Sequence, residues 1–181
     1  MEFRYHSEVE VLLSKASLKG ELNIPPKATS IIIFSHGSGS SRLSPRNKIV
    51  ADYFHKNNFA TLLFDLLTKE EDDHFYNRFN TELLTHRLID TTKWIENFEP
   101  SRHLSIGYFG ASTGAASALK AGASLPNIQA IVSRGGRPDL VMESLRGVKA
   151  PTLLIVGSLD PEVLDLNKKA YAQLICEKKL R

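Results

Sequence analysis

The chain has 181 residues, 42% of them apolar and 24% charged, enough for one domain with a sizeable core and too few for two. Its 23 basic and 20 acidic residues leave a formal net charge of +3, and outside Lys168-Lys169 and Lys178-Lys179-Leu180-Arg181 the basic side chains are scattered, which argues against a nucleic-acid partner. No apolar run approaches the roughly 20 residues of a membrane span, residues 1–8 lack the apolar core of a secretory signal, and the single Cys176 has no disulfide partner in the chain, so a cytoplasmic protein with no membrane partner is expected.

Residues 9–13 and 16–22 read as two short strands joined by a tight turn, an antiparallel start. Short runs rich in Ile, Leu and Val follow at 30–35, 60–65, 103–109, 128–133 and 151–157 and read as buried strands. Helices are expected between them. Residues 45–57 place Ile49, Val50, Tyr53 and Phe54 near helical period, and 81–98 do the same with Leu83, Leu84, Leu88, Ile89 and Ile95. Further helices are expected at 112–121, 139–145 and 161–175. This alternation predicts a single α/β domain over 1–181, with a mostly parallel sheet covered on both faces through right-handed crossovers. The long irregular piece, 66–80, carries Lys69-Glu70-Glu71-Asp72-Asp73-His74. Segments leaving the carboxyl ends of such strands build active sites, so this one reads either as a rim or lid or as a solvated acidic loop.

Three motifs carry chemistry. Gly110-Ala111-Ser112-Thr113-Gly114 follows the strand at 103–109 directly and opens a helix, the pattern of a nucleophile elbow that leaves the serine hydroxyl above the sheet. A glycine-flanked serine also serves as a helix cap, the rival reading. Phe34-Ser35-His36-Gly37-Ser38-Gly39-Ser40-Ser41 ends the first buried strand, and the amides of Gly37, Ser38 and Thr113 are the expected oxyanion donors. As a phosphate cradle this loop lacks the lysine and spacing of a P-loop. The third motif, Val156-Gly157-Ser158-Leu159-Asp160, places an acid after a buried strand, 48 positions beyond Ser112. Asp160 is therefore the candidate acid, although Asp160-Pro161-Glu162 also fits a helix cap.

Together with Val132-Ser133-Arg134-Gly135-Gly136-Arg137-Pro138-Asp139, these motifs make the sequence resemble the dienelactone-hydrolase-like branch of the α/β-hydrolase superfamily over nearly its whole length. The resemblance implies an α/β-hydrolase fold and an esterase or lactonase acting on small ester or lactone substrates. Ser112 would be its nucleophile, where the founding dienelactone hydrolases use cysteine, and neither cofactor nor metal is implied. Members of the family continue into a last strand, a histidine-bearing loop and a final helix, whereas this chain stops at Leu180-Arg181. The family order is serine, acid, histidine, yet all six histidines, at 6, 36, 55, 74, 86 and 103, precede Ser112. A domain lacking its last strand and helix is thus expected, with residues 177–181 as the start of that strand. The edge at 153–156 would then be uncovered and would permit a homodimer by strand pairing. His36 reads as a loop-structuring residue and His74 as a lid residue able to approach Ser112. Three readings stand: a serine hydrolase whose histidine lies outside this chain, an inactive hydrolase-fold binding or scaffold module, and a weak hydrolase working through its oxyanion hole alone.

Overall fold

A computed structural model describes residues 2–181. Strands β1 (Tyr5–Leu12) and β2 (Ser17–Ile24) form an antiparallel hairpin. The runs rich in Ile, Leu and Val become β3 (Ser30–Ser35), β4 (Ala60–Phe64), β5 (Ser105–Ala111), β6 (Ile128–Arg134) and β7 (Thr152–Ile155), and a short β8 (Lys178–Leu180) follows. All eight lie in one sheet of order β1-β2-β4-β3-β5-β6-β7-β8, parallel from β4 to β8 and antiparallel where β2 meets β1 and β4. β3 and β5 are central, and β5 is buried from Ile106 to Ala111 because helices lie over both its faces.

The helices start where side chains can satisfy their free N–H groups. Ser44 accepts from Asn47 N–H ahead of Pro45 to open α1 (Pro45–Lys56), and Asn80 accepts from Leu83 N–H to open α3 (Thr81–Asn97). α4 (Thr113–Ser124) follows β5 without a loop, and α5 (Pro161–Gln173) follows Asp160. One face of the sheet packs against α3, α4 and α5 through Leu84, Leu88, Ile95, Leu119, Ala170 and Leu174, where Ile31, Ile33 and Ile131 of the sheet meet them. The opposite face of β3, β4 and β5 carries Phe34, Leu63 and Phe109 against Ala51 of α1. Large apolar side chains at Ile49, Tyr53 and Ile155 stay exposed.

The structure departs from the sequence reading in four places. The hairpin strands are longer than 9–13 and 16–22, because Tyr5 to Glu10 alternate between half-buried and exposed and their polar members hide the pairing. Segment 66–80 is ordered by short helices, α2 (Lys69–Asp72) and a 3-10 turn (Phe75–Phe79). The expected helix at 139–145 is a 3-10 segment (Pro138–Gly147) broken by a non-helical Val141. The edge at 153–156 is not bare: Leu153 pairs with Lys179, Arg181 N–H donates to Leu154 O and Val156 N–H to Arg181 O, so a short last strand is present and the free edge belongs to β8.

Leu88, fully buried where α3 meets the sheet, tests the larger core. Leu88→Ala is expected to lower stability by about 2–5 kcal/mol, read as a reduced urea midpoint at unchanged slope.

Candidate active site

Ser112 sits between β5 and α4 with φ 52° and ψ −124°, a conformation that costs a side-chain-bearing residue about 1–3 kcal/mol. Its surroundings impose it. Ser112 N–H donates to Arg134 O at 3.3 Å, while Ser112 O accepts from Arg137 N–H at 3.2 Å and Ala115 N–H at 3.0 Å. The flanking glycines are required by contact. A Cβ on Gly110 would lie 2.5 Å from Ala115 Cα, and one on Gly114 would lie 2.1 Å from Ser35 O, so only bare backbone lets α4 settle onto β3 and β5. Behind it, Ser117 donates to Gly114 O at 2.9 Å, which leaves Ser35 to donate to Ser117 Oγ at 2.8 Å.

The His-Gly loop touches this turn. A Cβ on Gly37 would come within 3.0 Å of Ser112 Cβ. His36 accepts from Leu66 N–H through Nε2 at 3.1 Å, so Nδ1 carries the proton and donates to Gly37 O at 3.0 Å. Desolvation holds this imidazole below its ordinary pKa, against the pull of the Gly37 carbonyl and the Asp65 and Asp72 carboxylates. With both ring nitrogens engaged, His36 structures the loop and has no lone pair left to accept a proton from serine. Asp65 anchors the other end, taking Arg42 N–H and Arg42 Nη1, each at 2.8 Å.

Of the expected oxyanion donors, Ser38 spends its N–H on Thr113 Oγ1 at 3.0 Å. The N–H groups of Gly37 and Thr113 have no hydrogen-bond partner among the described residues. Segment 66–80 comes down beside them. Asp72 and Arg78 from this segment share a small cavity with Gly37, Ser38 and Thr113. A capping box at Thr68 and Glu71 shapes its start, Arg78 grips Asp72 with paired bonds of 2.9 and 3.0 Å, and Arg87 of α3 bonds Glu71 from beneath.

Asp160 follows β7 and is exposed, with its Oδ1 accepting from Val163 N–H at 3.1 Å as the cap of α5. No described histidine is hydrogen-bonded to it or to Ser112. His6 bonds Asn23, His55 bonds Thr61 at 2.7 Å and His103 bonds Arg4 at 3.0 Å. His74 and His86 are exposed, His74 on the lid segment and His86 on α3. Among the described residues, no group of three or more His, Cys, Asp or Glu is placed to hold a metal, and no helix is long and apolar enough to cross a membrane.

Sequence reasoning missed the supports of the turn. Arg137 acts through its backbone N–H, and Asn167 of α5, fully buried, donates through Nδ2 to Gly136 O at 3.0 Å and to Val163 O at 2.8 Å. A single asparagine within a helical pattern carries no signal of this kind. Gly135 and Gly136 lie within the 132–139 stretch that carries the family resemblance. Gly135 has φ 51°, and a Cβ on Gly136 would meet Ser133 Oγ at 2.1 Å.

A sheet of this order with a strained serine at the β5–α4 junction defines an α/β-hydrolase-fold protein, and solved structures agree. The dienelactone hydrolase of Anabaena variabilis is 49% identical with a TM-score of 0.93, over 97% of this chain and 84% of that one. An esterase of Pyrococcus furiosus shares the fold at 17% identity and a TM-score of 0.74, over 98% of this chain and 81% of that one. The chain belongs to the dienelactone-hydrolase-like branch of the α/β-hydrolases. Two curated relatives from Mycobacterium tuberculosis, 52% identical over 166 residues, carry the provisional name phosphoribosyl transferase. Those 166 residues make up 91% of this chain and 38% of the relatives' length. No protein-family model matches the chain.

His36 and His55 give the fold a pH signature. Desolvation lowers both below the ordinary 6.5, so as pH falls the unfolded chain takes up protons first. Their contribution is complete above about pH 6.5 and is lost as pH drops from there through the folded-state values. Urea midpoints measured from about pH 7.5 to about pH 5 should decline, and decline less steeply in His36→Gln.

Proposed function

We propose that this chain carries the nucleophile half of a serine hydrolase for small esters or lactones. The observation behind this reading is Ser112, held in a strained turn at the amino end of α4 beside two unpartnered N–H groups. Its hydroxyl would attack the ester carbonyl while the N–H groups of Gly37 and Thr113 receive the oxyanion. Ser38 supports that pair through Thr113, and it joins them as a donor if the hydroxyl turns aside. Asp160 is the acid, since its cap engages only one carboxylate oxygen. The base is a histidine from outside the described set, on a partner subunit or on a longer gene product. The engagement of His6, His36, His55 and His103 elsewhere supports this assignment.

The same absence of a placed histidine favours a second reading, a hydrolase-fold binding or scaffold module without turnover. Intact-mass detection of fluorophosphonate labelling separates the two. On the hydrolase reading Ser112 labels stoichiometrically, Ser112→Ala removes the label, and added histidine-bearing partner sequence speeds the reaction by about 10²-fold or more. A folded chain that never labels, with or without such a partner, supports the scaffold and sinks the hydrolase.

A further inference from the structure

Beyond the Ser112 turn, over the carboxyl end of β4 and the start of β2, lies a cavity of about 670 Å³ to which no role has been given. Its walls include Ser17 and Lys19 of β2, Ser40 of the His-Gly loop and Lys69 of α2. It shares His36, Leu67 and Asp72 with the small cavity at Gly37, Ser38 and Thr113, so the two adjoin beyond the carboxyl end of β4. Leu67 is the one apolar residue among the twelve that line it.

Pairing within the walls decides what remains for a ligand. Asp65 is taken by Arg42 at 2.8 Å and Asp72 by Arg78 at 2.9 Å. The Glu70 carboxyl is held below the usual carboxylate range by its own backbone N–H and the Thr68 hydroxyl. Among the described residues the ammonium groups of Lys19 and Lys69 and the Ser40 hydroxyl make no side-chain hydrogen bond or ion pair, although the Lys69 charge is felt by Glu70. What is left is two ammonium groups and the Ser40 hydroxyl against the single ionised Glu70 carboxylate, an excess of donors and of positive charge. The Arg42 guanidinium, the fork in these walls that would suit a planar carboxylate, is already occupied by Asp65, whereas lysines act as point charges that suit a tetrahedral dianion.

We propose that this cavity binds a phosphate-bearing, hydroxylated portion of the substrate, with Lys19, Lys69 and Ser40 as donors. As part of a substrate groove it rests on the hydrolase reading of Ser112; as a phosphate site it does not. Glycerol 1-phosphate is titrated into the intact chain and into Ser112→Ala while the backbone amides of Lys19, Ser40 and Lys69 are followed by NMR, with glycerol and glutarate as controls. Saturable shifts with glycerol phosphate are expected, with Kd about tenfold weaker for glutarate and about tenfold weaker when Lys19→Met is combined with Lys69→Met. No saturable shift, or shifts indifferent to the double substitution, overturns the site, and an equal response to glutarate overturns its preference for phosphate. Saturating glycerol phosphate should also slow fluorophosphonate labelling of Ser112 in the intact chain and leave the doubly substituted chain unaffected. Unchanged labelling overturns the link between cavity and substrate. A serine that never labels overturns the hydrolase reading instead, and the titration in Ser112→Ala still decides whether the cavity takes phosphate.

Discussion

The close seating of α4 on β3 and β5 is the constraint from which the rest of the site follows. Gly114 lies so near the carbonyls of Ser35 and His36 that no side chain fits, and Gly110 lies as near the backbone of Ala115. With helix and strand this close, the residue between them has no room to turn in an ordinary conformation, and Ser112 takes φ 52°. The strain is carried by neighbours on both sides: Arg134 and Arg137 bond its backbone, and Asn167 fixes the carbonyl of Gly136 between them. One turn thus links β3, β5, β6 and α5, elements far apart in sequence. The Oδ1 of Asn167 has no hydrogen-bond partner among the described residues, so the bracing is done by Nδ2 alone.

The same contact organises the donors. Because Gly37 lies against the Ser112 side chain, the His-Gly loop must be held from behind, and His36 does this by bridging Leu66 N–H and Gly37 O as a neutral ring. That occupation removes His36 from acid–base chemistry. It also ties the loop to the strand end that leads into segment 66–80, so that segment, the expected lid, and the Gly37 N–H rest on one support. Arg87 and Arg78 bind that lid through carboxylates of α2, which makes it a wall more than a mobile flap.

Chemistry and architecture are therefore unequally complete. The sheet, the turn and the donor loop are assembled, and the family is that of the dienelactone hydrolases. Asp160 caps α5 through one carboxylate oxygen and meets no histidine among the described residues. An acid and a base are brought together only by tertiary contacts between distant loops, so a fold with an intact serine turn does not by itself supply a proton path.

How much was legible in the residues follows from the range of the forces involved. The runs 30–35 and 60–65 became β3 and β4 almost to the residue, because a buried parallel strand must be apolar on both faces and so announces itself locally. Ser112 was visible for the same reason: the glycines that steric crowding demands are neighbours in sequence. The hairpin's full length, the order in 66–80 and the broken segment at Pro138–Gly147 were not, since cross-strand pairing, Arg87 bonding Glu71 and a single non-helical Val141 leave no periodic trace. Local sequence determined the strands, the strained Ser112 turn and the His-Gly loop, because their sterics act between adjacent residues. Only the tertiary structure decided that His36 bridges Leu66 N–H and Gly37 O, that Asp160 spends one oxygen on α5 without meeting a histidine, and that Asn167 braces the turn, because each depends on a partner brought near by folding.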